Sequence, residues 1–182
     1  MIYYYFDFRD ADKQNRNGLL SSLLAQLAAE SDHCYEILSR LYKAHAYGVR
    51  QPNDVALMQC LKDMLEHHRQ ATYIIIDAID ECPNTSGLPT PRERVLEFLE
   101  RLIDFQLPHL RICIASRPEV DIRDTLEPLT SLRVSLHEES GQRQDILDYV
   151  TKVVRTDKRM SKWREEDKLL VIKILAEKSD GM

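Results

Sequence analysis

Glycine is scarce in this sequence. It occurs only at 18, 48, 87, 141 and 181, and none of the five is followed by lysine. A G-x-x-x-x-G-K-[ST] loop, whose backbone N–H groups wrap phosphate oxygens and whose lysine meets them, is therefore excluded. The four cysteines, at 34, 60, 82 and 113, stand far apart. That excludes the short spacings of a zinc site or redox pair and implies reduced thiols in a cytoplasmic protein. No apolar run approaches the length of a membrane span, and the N-terminus lacks the charged-then-apolar plan of a signal peptide. Basic blocks are missing too: 25 Lys and Arg are interspersed among 30 Asp and Glu, for a net charge of −5. This balance argues against nucleic-acid and membrane partners. Internal repeats and low-complexity segments are also absent.

What is present suits one domain with a real core, since the chain has 182 residues. "IYYYFDF" (2–8) is an aromatic-rich strand pattern. "GLLSSLLAQLAAE" (18–30) puts Leu19, Leu20, Leu23, Leu24, Leu27 and Ala28 on one helical face. A looser helix is expected over 35–46. Asn53 or Asp54 caps a third, with Leu57, Met58, Leu61, Met64 and Leu65 as its stripe. His67-His68 closes that pattern as a solvated helix end, because helical neighbours do not share a face.

A strand over "YIII" (73–76) follows, then a loop, "PNTSGLP" (83–89). Thr90-Pro91-Arg92-Glu93 is a capping box with proline at the first helical position. The helix it opens should bury Val95, Leu96, Leu99, Leu102 and Ile103. "LRICIAS" (110–116) is a further strand and "LRVSL" (132–136) a weaker one. Helices are expected around 146–154 and 169–175. Strands alternating with helices imply an α/β fold with a parallel sheet.

The chemistry concentrates in "YIIIDAIDEC" (73–82), where an apolar strand runs into Asp77 and then Asp80-Glu81. Carboxylates are costly to bury without a partner. Ligands of open parallel sheets sit at the strands' carboxyl ends, and a strand-end Asp suits magnesium with its retained waters and phosphate oxygens. A neighbouring acid can orient an attacking water. The alternative is an Asp that caps the following turn.

This pattern resembles the Walker B motif of the NACHT branch of signalling NTPases. Helicase-type motifs run Asp-Glu directly off the strand, whereas here Ala78-Ile79 intervenes. Ser116-Arg117-Pro118, just past "RICIA", resembles the sensor 1 position, where an arginine fork suits a γ-phosphate. "YYYFDFRDADKQNRNGLLSSLLAQL" looks like the second strand and following helix of NACHT-like and nephrocystin-type N-terminal domains, common in large fungal receptors. "LAEKSDGM" (175–182) resembles that domain's end.

The resemblance implies a single NACHT-like domain fragment over 1–182, with its core in 1–137 and the start of a helical extension in 138–182. It implies a P-loop NTPase-like sheet, truncated at both ends, with the P-loop strand belonging between 110–116 and 132–136. Asp77 would serve Mg2+, Ser116 and Arg117 the nucleotide, and Asp80, Glu81 and Arg117 catalysis. In a complete domain ATP or GTP would drive an oligomerisation switch that assembles as a homo-oligomer, joined to effector and repeat domains in the parent chain. No cofactor is expected for this chain alone. Losing three charge-assisted phosphate contacts, each worth roughly 1.5–3 kcal/mol, weakens binding on the order of a thousandfold or more. A non-catalytic interaction module of the same fold is the alternative. A metal-dependent nuclease using Asp77, Asp80 and Glu81 is a third, lacking a basic surface.

Overall fold

The computed structural model describes residues 1–68, 70–85, 87–135 and 140–178. They fall into two compact units, Met1–Thr130 and Ser131–Met182. The first unit is α/β. Its strands β1 (Ile2–Tyr5), β2 (Thr72–Asp77) and β3 (Leu110–Ile114) form one sheet in the order β1-β2-β3. Both pairings are parallel, with Tyr3 opposite Ile75 and Ile75 opposite Cys113. Helices α1 (Arg16–Glu30), α2 (Asp32–Ala44) and α3 (Asp54–His67) connect β1 to β2, and α4 (Pro91–Ile103) connects β2 to β3. A short α5 (Val120–Leu126) follows β3.

Local sequence explains where these helices begin. Asn15, Ser31 and Asn53 each accept a hydrogen bond from a first-turn N–H of α1, α2 and α3. Thr90 and Glu93 form the expected capping box of α4. The leucine stripe of α1 is buried from Leu19 to Leu27, with Ala28 packed against the core's edge. In α4 the buried set includes Phe98, while Ile103 is only half-buried. Val95, Leu96, Leu99 and Leu102 are buried as expected, and the stripe extends to Phe98 rather than to Ile103.

One sheet face is buried. It carries Ile2, Tyr4, Thr72, Ile74, Ile76 and Leu110. The opposite face is exposed at Tyr3, Tyr5, Tyr73, Arg111 and Cys113, although parallel sheets are commonly covered on both faces. The outer edge of β1 is closed by a side chain: the Tyr3 N–H donates to Gln26 Oε1 at 3.0 Å and Gln26 Nε2 donates to the Tyr3 carbonyl at 2.7 Å. An amide thus takes the place of a neighbouring strand and blunts that edge.

The second unit packs α6 (Ser140–Thr156) against α7 (Glu165–Lys178), with Val154 and Ile172 buried. The strand expected at 132–136 does not form in its described part. Residues 132–135 are irregular, with Leu132 and Val134 exposed, and Leu136 lies outside the described residues. Strand preference alone does not hold a strand; cross-strand partners do, and this run has none in the sheet. Of the terminal "LAEKSDGM", residues 179–182 also lie outside the described residues.

The cysteines separate sharply. Cys34, Cys60 and Cys82 are buried and Cys113 is exposed. Burial raises all three buried thiols, Cys60 and Cys82 to about 11. A raised thiol carries less reactive thiolate at pH 8. Titration of the native protein with a chromogenic disulfide at pH 8 should therefore modify Cys113 rapidly, and the other three only in denaturant. Fast modification of all four without denaturant would contradict this packing.

Candidate functional site

The parallel ladder brings the carboxyl ends of all three strands together. At the end of β2 the chain turns through Ala78, which adopts a left-handed conformation (φ 57°, ψ 45°), costly for a residue with a Cβ. The turn drives Ile79 into the core, fully buried, and places Asp80 and Glu81 on a 3-10 turn. Cys82, also fully buried, donates its thiol to the Gln14 carbonyl at 3.1 Å. The acidic loop is thus anchored at both ends.

Asp80 reaches the end of β3. Its Oδ1 accepts from the Arg117 backbone N–H at 3.1 Å and from Ser116 Oγ at 3.3 Å, and its Oδ2 lies 3.5 Å from Arg117 Nε. The Asp80 side chain is only 11% exposed, whereas that of Arg117 is 77% exposed. An ion pair with so wet a partner holds weakly, so the guanidinium is loosely tethered while the backbone contact is well placed. Glu81 points elsewhere: its Oε2 accepts from the Phe8 N–H at 3.1 Å, beyond the end of β1. Asp77 lies on the open sheet face beside Tyr5. Among the described residues its carboxylate makes no hydrogen bond or ion pair.

Of the five residues singled out in the sequence, Asp80, Ser116 and Arg117 form one hydrogen-bonded cluster, with Asp77 and Glu81 at the same sheet end but directed apart. Among the described residues, no three His, Cys, Asp or Glu side chains gather as a metal-binding group. The open carboxylate of Asp77 fits the one-carboxylate, water-rich manner in which magnesium binds beside phosphate.

Sequence reasoning missed Arg92. It is buried at the second position of α4, where the helix dipole disfavours a cation; that mismatch was the available signal. Its Nη2 donates to the Asp80 carbonyl at 2.6 Å and its Nε to the Cys82 carbonyl at 2.9 Å. Its Nη1 lies 3.4 Å from both Asp121 carboxylate oxygens. Asn84 joins this network, donating to Asp121 Oδ2 at 3.0 Å and accepting from Thr90 Oγ at 2.8 Å. One guanidinium therefore ties the acidic loop to α4 and α5.

Arg92→Met should lower unfolding stability by about 2–4 kcal/mol, because it strands two carbonyls and a carboxylate. Arg92→Lys should recover only part of that, since an ammonium cannot span both carbonyls as a planar fork does. Urea unfolding of the two variants checks this, and a full recovery by lysine would contradict the fork geometry.

Residues 1–117 match the protein family described as Nephrocystin 3, N-terminal. No match was found among curated proteins or among solved structures. The matched stretch contains Asp77, Asp80, Glu81, Ser116 and Arg117 and makes up well over half of the chain. The chain belongs to the nephrocystin 3 N-terminal family.

Proposed function

We propose that this chain carries the acid-bearing part of a NACHT-like signalling NTPase, a switch whose nucleotide state governs self-assembly in its parent protein. The observation that supports this reading most is the contact of Asp80 with Ser116 Oγ and the Arg117 N–H, which couples the acidic loop of β2 to the arginine after β3. In the reading, Asp77 holds Mg2+, which supplies charge neutralisation to the phosphates of ATP or GTP. Arg117 leaves its weak pairing with Asp80 to meet a γ-phosphate. Glu81 orients water and Asp80 shares that work. Effector and repeat domains of the parent chain, and further copies of the domain, are the proposed partners in a cytoplasmic setting. Among the described residues no helix is long and apolar enough to cross a membrane.

A nucleotide-independent interaction module is the second reading, favoured by the tyrosine-bearing sheet face. Calorimetry separates part of the question. With no phosphate-cradling loop in the sequence, ATP and ADP should bind no tighter than millimolar, with or without magnesium. A micromolar dissociation constant would overturn that expectation.

The acids are separable in a protein in which such a loop has been joined ahead of β1. Asp77→Asn should weaken magnesium-dependent nucleotide binding. Glu81→Gln should leave binding nearly intact and slow hydrolysis, because the amide oxygen can still accept from the Phe8 N–H. Retained nucleotide should then hold the protein in a larger assembly, visible by light scattering. Equal, full hydrolysis rates in the parent and both variants would reduce the acids to loop caps.

A further inference from the structure

A cavity of about 370 Å³ opens between α1, α2 and the segment leading into α3. That is the size of small-molecule sites, which are concave, largely apolar and carry a few placed polar groups. Its apolar lining comes from Leu24 on α1, Leu38 and Leu41 on α2, and Leu57 on α3. Tyr35 and Tyr42 add aromatic walls.

Two further observations set it apart from an ordinary crevice between helices. The first is charge. Arg50 is among its lining residues, and among the described residues no carboxylate lines it, in a chain of net charge −5. Among the described residues the exposed Arg50 side chain makes no hydrogen bond or ion pair.

The second is a loop wall braced by its own backbone hydrogen bonds. Ala46, Tyr47 and Gly48 have consecutive positive φ angles of 53°, 55° and 86°, costly where a Cβ is present. The loop is held in that shape by backbone bonds from Tyr47 N–H to the Tyr42 carbonyl, Val49 N–H to Ala46 and Arg50 N–H to His45, all between 3.0 and 3.2 Å. Gly48 suits the loop because its φ of 86° strains any L side chain, and a Cβ there would also stand 2.9 Å from the exposed Tyr42 ring. A wall fixed in this way needs little reordering to accept a ligand.

We propose that this cavity binds a small planar aromatic anion, its ring between the tyrosines and leucines and its acid on Arg50. Aromatic walls favour a ring over a flexible chain, and an exposed guanidinium with no partner or competing carboxylate among the described residues favours an anionic head. The site shares no residue with the acidic loop, so it stands or falls independently of the nucleotide reading.

The test uses anilinonaphthalene sulfonate, an aromatic anion whose emission rises on leaving water, titrated into the full chain. One saturable site is expected. Arg50→Gln should weaken it about tenfold, the scale of one charge-assisted contact. Ser39→Trp, which fills the cavity from α2, should abolish it, and Tyr73→Ser, on the open sheet face, should leave it unchanged. Circular dichroism confirms that each variant is folded. Should Ser39→Trp not fold, the exposed Arg50→Gln decides alone. Absence of saturable emission, unchanged affinity in Arg50→Gln, or loss of binding in Tyr73→Ser would overturn the proposal.

Discussion

Because β2 pairs in parallel with both β1 and β3, each return of the chain must cross over the sheet through helix. That constraint buries one sheet face under the helices and collects the three carboxyl ends at a single edge. Residues distant in sequence meet there for this reason: Phe8 with Glu81, and Ser116 and Arg117 with Asp80. Antiparallel pairing of either neighbour would have sent one of these groups to the opposite end of the sheet.

The acidic loop combines firm anchorage with one loose member. Ile79 and Cys82 are fully buried, and Arg92 holds the carbonyls of Asp80 and Cys82 from below. These contacts stabilise the left-handed turn at Ala78, which the local backbone would otherwise resist. Against that rigid frame the Arg117 guanidinium is exposed and weakly paired. A fixed acid beside a movable cation is an arrangement that can respond to a bound anion without rebuilding the sheet.

The exposed sheet face and the α1–α2–α3 cavity lie apart from that edge and obey different physics. The face exposes tyrosines where parallel sheets are ordinarily covered. The cavity owes its shape to a hydrogen-bonded left-handed loop and to a glycine that lets the chain approach Tyr42.

Much of the fold was legible from periodicity alone, since burial of an apolar stripe dictates where helices and strands run. The leucines of α1, the caps at Asn53 and Thr90, and the strand ending in Asp77 could all be read in one dimension. So could the five residues of the sheet end, because strand-end acids and a strand-end arginine are local patterns. Which of them touch was not legible. Asp80 alone clusters with Ser116 and Arg117, and Glu81 turns to a backbone N–H of the β1 loop, because register and the turn at Ala78 set those directions. Arg92 could be read only as part of the capping box of α4, because its carbonyl partners at Asp80 and Cys82 come to it when α4 packs on the acidic loop. The run at 132–135 had a strand's composition but no partner in the sheet. Sequence by itself determined the main apolar stripes that had to leave water, such as the leucines of α1, a matter of each side chain's own chemistry. Only the tertiary structure decided which polar groups they carried with them and which carbonyls, amides and guanidinium had to satisfy one another, because those pairings join segments that the chain keeps far apart.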